Sequence, residues 1–158
     1  VSVAAPNALL QRWQRVSAWP LGARLFSLGV GLAVPYSGSI RAVVRELEPG
    51  YARVELRERR RVRNHLRSVH AVAQTNLGEL TSGLAMLAGL PADARGIVTG
   101  IETEYLKKAR GLLVCSCRCE PPTEAVERDL EVLAEVTDGD GDVVSRTRVR
   151  WIVGPVRR

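Results

Sequence analysis

The chain has 158 residues, 46% of them hydrophobic and 25% charged, and carries a net charge of +6. That suits one soluble globular domain with a sizeable core. No apolar run reaches the roughly 20 residues a membrane span needs, and residues 21–35 lack the basic start of a secretory signal, so the reading is a cytoplasmic protein.

In chain order, Asn7 is placed to cap a first helix that carries Leu9, Leu10, Trp13 and Val16 on one side. Trp19-Pro20 breaks it, because the residue before proline is pushed away from helical angles. Residues 21–32 read as a second short helix, followed by a glycine-containing loop before Pro35. Residues 1–36 are therefore expected to form a helical extension, either a layer packed on the main domain 37–158 or a lid over its pocket.

From Ser37 the hydrophobic period changes to two. Residues 39–48 and 51–58 read as a β-hairpin turning at Pro49-Gly50. An arginine-dense loop, 59–70, follows. Ala73, Leu77, Leu80, Leu84 and Leu87 then repeat at spacings of four and three, which predicts a helix over 71–90 with one buried stripe, ended by Gly89 and Pro91. Strands are expected at 96–106, 112–120, 130–137 and 142–153. The turn at 107–111 is basic, and Asp138-Gly139-Asp140-Gly141 makes a strong hairpin turn. One long helix embedded in a curved antiparallel sheet satisfies this order, an α+β class.

Glu79 stands out because it is a carboxylate on the most apolar helix, where an unpaired buried charge is costly. Arg57, Arg59, Arg60, Arg61, Arg63 and Arg67 would attract polyanions: nucleic acid, anionic lipid or the phosphates of coenzyme A. Only 4% of the chain is aromatic and none of it interleaves with those arginines, which ranks nucleic acid last. Cys115, Cys117 and Cys119 alternate, so they share one strand face. Their odd number and the lack of any CxxC pair make them structural residues, with neither a disulfide framework nor a metal site expected.

The β-β-α-β-β-β-β order, the spacing of Asn64, His70 and Glu79, and the phrase EYLKKARG entering a strand resemble the hotdog-fold acyl-CoA thioesterases. The likeness covers roughly 37–153 and is similar to phenylacetate-pathway and 4-hydroxybenzoyl-CoA thioesterases. It implies the hotdog fold, with the long helix as the sausage and the sheet as the bun. It also implies a homo-oligomer, dimer or tetramer, with the site between subunits.

By that resemblance Glu79 is the general base or nucleophile, Ser82 one turn on helps place the water, and Asn64 and His70 flank the thioester. The backbone N–H groups of Ala71 and Val72 would receive the oxyanion, as free N–H groups at a helix start are suited to do. The family has two glycines where this chain has Ala71 and Val72. Lys107, Lys108 and Arg110, with Arg61, Arg63 and Arg67, would hold the coenzyme A part of the substrate, with no separate cofactor. The alternative is a hotdog module that binds an acyl ligand without catalysis.

Overall fold

A computed structural model describes residues 7–156; residues 1–6 and 157–158 of the two expected ranges lie outside it. Three helices come first: α1 (Ala8–Val16), α2 (Gly22–Ala33) and the single turn α3 (Pro35–Gly38). The hairpin β1 (Val43–Glu48) and β2 (Tyr51–Arg57) follows, then a 3-10 turn at Arg60–Val62 and the long helix α4 (Ala71–Gly89). The chain ends with β3 (Ala94–Tyr105), β4 (Leu112–Arg118), β5 (Arg128–Thr137) and β6 (Val143–Pro155).

The strands form one six-stranded sheet in the order β1-β2-β4-β5-β6-β3. Every neighbouring pair is antiparallel. After α4 the chain crosses to the far edge, where β3 pairs with β6 alone. The sheet curls around α4, which packs against all six strands. This is the helix-in-sheet architecture that the sequence predicts.

The core explains the curl. Leu56, Leu77, Met86, Leu113 and Val149 are fully enclosed between α4 and the sheet, each worth about 1.5–3 kcal/mol of burial. Gly78 lets the helix close onto the Thr147 side chain, where a Cβ would collide. The expected stripe is only partly right: Ala73, Leu77 and Leu84 are buried, but Leu80 is half-buried and Leu87 is exposed. Ala85, Met86 and Ala88 are buried instead, together with Gln74, Asn76, Thr81 and Ser82. The reason is that α1 and α3 cover α4 on the side away from the sheet. A helix packed on two sides does not keep one clean apolar face.

The N-terminal helices are tied down at several points. Asn7 caps α1 by accepting from the Leu10 N–H at 3.1 Å. Its amide also donates to the carbonyls of Leu87 and Leu90 at the far end of α4. Trp13 and Phe26 meet edge to face, 5.1 Å between centroids. Ser27 on α2 accepts from the Val44 N–H at 2.8 Å, which fastens α2 to β1.

Two differences from expectation have a clear local cause, beside shifts of one or two residues at the ends of β3 to β6. The loop before Pro35 closes with a helical turn, α3, because proline is accepted at a first helical position. The first strand starts at Val43 rather than Ser39, because Arg41 adopts a left-handed φ of 47° that no strand continues through. The predicted turns at Gly50 and Gly141 do take positive φ, 75° and 85°. Cys115 and Cys117 face the core, and burial pushes the Cys115 thiol up to about 12. No metal-binding cluster is present among the described residues, and none of their helices is long and apolar enough to cross a membrane.

Candidate functional site

The chemistry-bearing residues gather on α4 and on the two loops at its start. The loop before α4 is built by Asn64. Its side-chain oxygen accepts from the N–H groups of Leu66 and Ser68, at 2.9 and 3.1 Å, and from the Ser68 hydroxyl. Asn is suited to this because its short side chain mimics a backbone carbonyl in a turn. The Asn64 oxygen is thus committed to the loop.

His70 is the N-cap of α4, and its Nδ1 accepts from the Val72 N–H at 3.1 Å. The His70 carbonyl accepts from Gln74. The first four N–H groups of a helix have no intrahelical acceptor, so Ala71 and Ala73 keep theirs directed off the helix start. The second loop, 106–111, lies against the first: Val69 donates to the Ala109 carbonyl at 2.8 Å. Tyr105, at the end of β3, donates from its hydroxyl to the Ala71 carbonyl at 3.0 Å and lies 2.7 Å from the Thr75 hydroxyl. The helix start is therefore held from three directions.

Glu79 sits half-buried in the middle of α4. Burial raises its carboxyl pKa above the ordinary glutamate value, and a side-chain hydrogen bond with Ser37 pulls it partly back. Ser37 is buried on α3, the turn at the junction of the expected extension and the main domain, and it is the polar side chain that acts on this carboxyl among the described residues. Beside it, Asn76 donates to the Tyr36 carbonyl at 3.3 Å while its own side-chain oxygen is buried without a partner. Ser82 is buried and donates to the backbone carbonyl of Glu79, at 2.9 Å, rather than to its carboxylate.

The basic residues separate into different places. Lys107 bonds both Asp138 and Asp142 at 2.7 Å, and those hydrogen bonds raise its pKa. Arg63 pairs with Glu58 at 2.6 Å. Arg61 lines a cleft between α2, α3 and β1. Lys108 and Arg110, in the second loop, and Arg67, in the first, remain exposed or unpaired near the start of α4. Ser37 and Tyr105 escaped the sequence reading. Ser37 marked only the point where the hydrophobic period changes, and Tyr105 read as one more alternating strand residue.

A family model described as "Domain of unknown function (DUF4442)" matches residues 22–153. The chain belongs to the DUF4442 family. The match begins with α2 and so includes α2 and α3 of the N-terminal helices. A crystal structure known as APC5556 is 33% identical, covers 94% of this chain and 99% of its own, and superposes with a TM-score of 0.80. PA5026 of Pseudomonas aeruginosa, described as a protein of unknown function and probable thioesterase, is 23% identical. It covers 87% of this chain and 97% of its own, with a TM-score of 0.72. The thioesterase HI1161 of Haemophilus influenzae is 10% identical over 78% of this chain and 85% of its own, with a TM-score of 0.68. These likenesses place this DUF4442 chain in the hotdog fold. A search of curated protein sequences finds no match.

Proposed function

We propose that this chain hydrolyses acyl-CoA or a related thioester at α4. Glu79 carries the reading: it is a carboxyl on a largely buried apolar helix, raised by burial and touched by one hydroxyl residue. Such a group is poised for proton transfer rather than for structural pairing. As general base, Glu79 takes a proton from water, whose oxygen attacks the thioester carbonyl carbon. The carbonyl becomes an oxyanion, which the N–H groups at the start of α4 stabilise. Collapse breaks the C–S bond and releases the thiol, which takes up the proton. As nucleophile, Glu79 would instead form an anhydride that water then opens.

Eight helical steps separate Ala71 from Glu79, which puts them ~12 Å apart along the axis at ~1.5 Å per step. One carbonyl cannot touch both in the same subunit. This supports a site shared by two copies, the helix start of one facing Glu79 of the other. The free edge of β3, with Ile97 and Ile101 exposed, offers the surface for that pairing. Arg67, Lys108 and Arg110, around the helix start, suit the phosphates of coenzyme A.

The second reading, an acyl-CoA-binding module without catalysis, is favoured by one observation. His70 already occupies the Val72 N–H. Release of free thiol from a panel of acyl-CoA substrates, wild type against Glu79→Gln, decides between them. The catalytic reading expects a loss of about 10²-fold or more in the variant. Equal rates would remove Glu79 from the mechanism, and saturable acyl-CoA binding with no turnover would establish the module.

A further inference from the structure

An open cleft of about 640 Å³ runs between α2, α3 and β1. Leu28, Leu32, Val43 and Leu80 supply apolar wall. Leu28 and Leu32 remain 61% and 74% exposed, apolar surface that a soluble fold gains by covering.

The same cleft is lined by Arg24, Arg41 and Arg61. Arg59 stands close behind, and after burial it is the charges of Arg41 and Arg61 that destabilise its protonated form. The Arg59 Nε is buried and lacks a hydrogen-bond partner. Among the described residues, none of these four arginines makes an ion pair, whereas Arg45, Arg53, Arg63, Arg146 and Arg148 all do. Arg41 is moreover held at a φ of 47°, a left-handed conformation that non-glycine residues adopt uncommonly. Like charges gathered without a counter-charge repel one another, and an anion would relieve that repulsion.

We infer that this cleft binds a single-chain anionic amphiphile, its acyl tail along Leu28, Leu32, Val43 and Leu80 and its carboxylate or phosphate head on Arg41 and Arg61. Arg24, exposed on α2, lines the same cleft and adds a third positive charge to it. A nucleic acid would fit the arginines but leave the apolar wall uncovered. Ser37 lines this cleft and is also the partner of Glu79, so the bound molecule lies one residue away from the carboxyl proposed as catalytic. The inference stands without hydrolysis, since it needs only the cleft and its charges.

Calorimetric titration of the full chain with dodecanoate, monododecyl phosphate and dodecanol, each below its aggregation threshold, tests it. The expected result is saturable one-to-one binding of at least one anionic probe, with dodecanol weaker by about tenfold or more because charge-assisted bonds are absent. The preferred head tells a fatty acid from a phosphate-bearing lipid. The double variant Arg41→Gln/Arg61→Gln is expected to bind the acid no better than the alcohol. Leu28→Asp, at an exposed position that leaves the core intact, should weaken every probe, and serves if the double variant does not fold. Dodecanol binding as tightly as the anions would overturn the inference, as would unchanged affinity in the variants or no saturable binding at all. Thioester turnover without amphiphile binding would sink the cleft alone, and binding without turnover would sink only the proposed hydrolysis.

Discussion

The Val72 N–H donates to Nδ1 of His70, 3.1 Å away, so the histidine beside the proposed oxyanion site is also the cap of the helix. A thioester carbonyl seeking that N–H has to displace the imidazole or use the neighbouring donor of Ala71. His70→Ala should therefore cost about 1 kcal/mol of stability, the usual loss for a helix cap. In a chain of this length that lowers Tm by about 2–4 °C. His70→Asn keeps a capping oxygen and should restore Tm. If His70 acts only by holding the helix start, the Asn variant also keeps kcat/KM near the wild-type value. A loss of about 10²-fold in His70→Asn with Tm restored would instead assign the imidazole a part in proton transfer.

Glu79 gives a pH dependence with a definite sign. Its folded pKa is raised by burial, with Ser37 opposing. Below the ordinary glutamate pKa both folded and unfolded chains hold the proton, and Glu79 contributes nothing to stability. As pH rises from there to the raised value, the unfolded chain releases its proton first and stability falls. The loss persists at neutral pH. Glu79→Gln should therefore be at least as stable as wild type at pH 7, with Tm rising by about 2–4 °C for each kcal/mol of burial cost removed. Hydrolysis by wild type should rise with pH as the carboxyl ionises, with its inflection above the ordinary glutamate value. Thermal melts from pH 4 to 8 and a pH–rate profile read both. A variant that melts lower than wild type at pH 7 would mean that Glu79 is paired rather than desolvated.

Tyr105 ties the end of β3 to the Ala71 carbonyl and the Thr75 hydroxyl. Tyr105→Phe keeps the ring and removes both bonds, which should cost about 0.5–1.5 kcal/mol. Faster amide hydrogen exchange confined to the first turn of α4 would show that this hydroxyl fixes the helix start. Unchanged exchange there would show that the His70 cap suffices.

The elements best read from the sequence are those whose pattern is local. Gly50 and Gly141 mark their hairpins because only a positive φ closes them. The single long helix announces itself by its apolar composition. What escaped depends on neighbours far along the chain. Leu87 keeps the helical spacing yet is exposed, whereas Ser82 and Thr81 are buried, because α1 and α3 cover a second face of α4. Glu79 was visible as a carboxyl in the wrong company, but its partner Ser37 lies 42 positions earlier, on a helical turn that the local pattern does not announce. Asn64 carries the spacing of the thioesterases, and the same side chain is spent on building its own loop.

Lys107 stands apart from its neighbours in the basic turn. The alternation of β3 ends in Lys107, Lys108 and Arg110, which read as one phosphate-binding set. The first of these is engaged by Asp138 and Asp142 across the hairpin turn. Lys107→Ala should leave KM for acyl-CoA within about twofold, as expected for an exposed pair that serves only its own turn. Arg67→Ala and Arg110→Ala should each raise KM by about three- to tenfold with kcat little changed, the mark of lost uniform binding. Acyl-dephospho-CoA, which lacks the 3′-phosphate, would then narrow the difference between variants and wild type. A KM that rises in Lys107→Ala alone would put the phosphates at the Asp138 turn instead.

Under the proposed mechanism, the separation of Glu79 from the start of its own helix would make activity depend on assembly. β3 is an edge strand with Ile97 and Ile101 exposed on it and no second strand beyond. Such an edge invites pairing with a second copy. Ile97→Glu/Ile101→Glu places like charges on that surface and buries nothing new within the subunit. The variant should sediment as a monomer and still unfold cooperatively, since both side chains lie outside the core. Its hydrolysis should fall by about 10²-fold or more, because each Glu79 then lacks the helix start that faces it. Recovery of activity on mixing that monomer with a second monomeric variant of opposite charge, Ile97→Lys/Ile101→Lys, would show that two chains complete one site. A monomer that hydrolyses at the wild-type rate would place the whole reaction within a single subunit and require a donor other than the Ala71 and Val72 N–H groups.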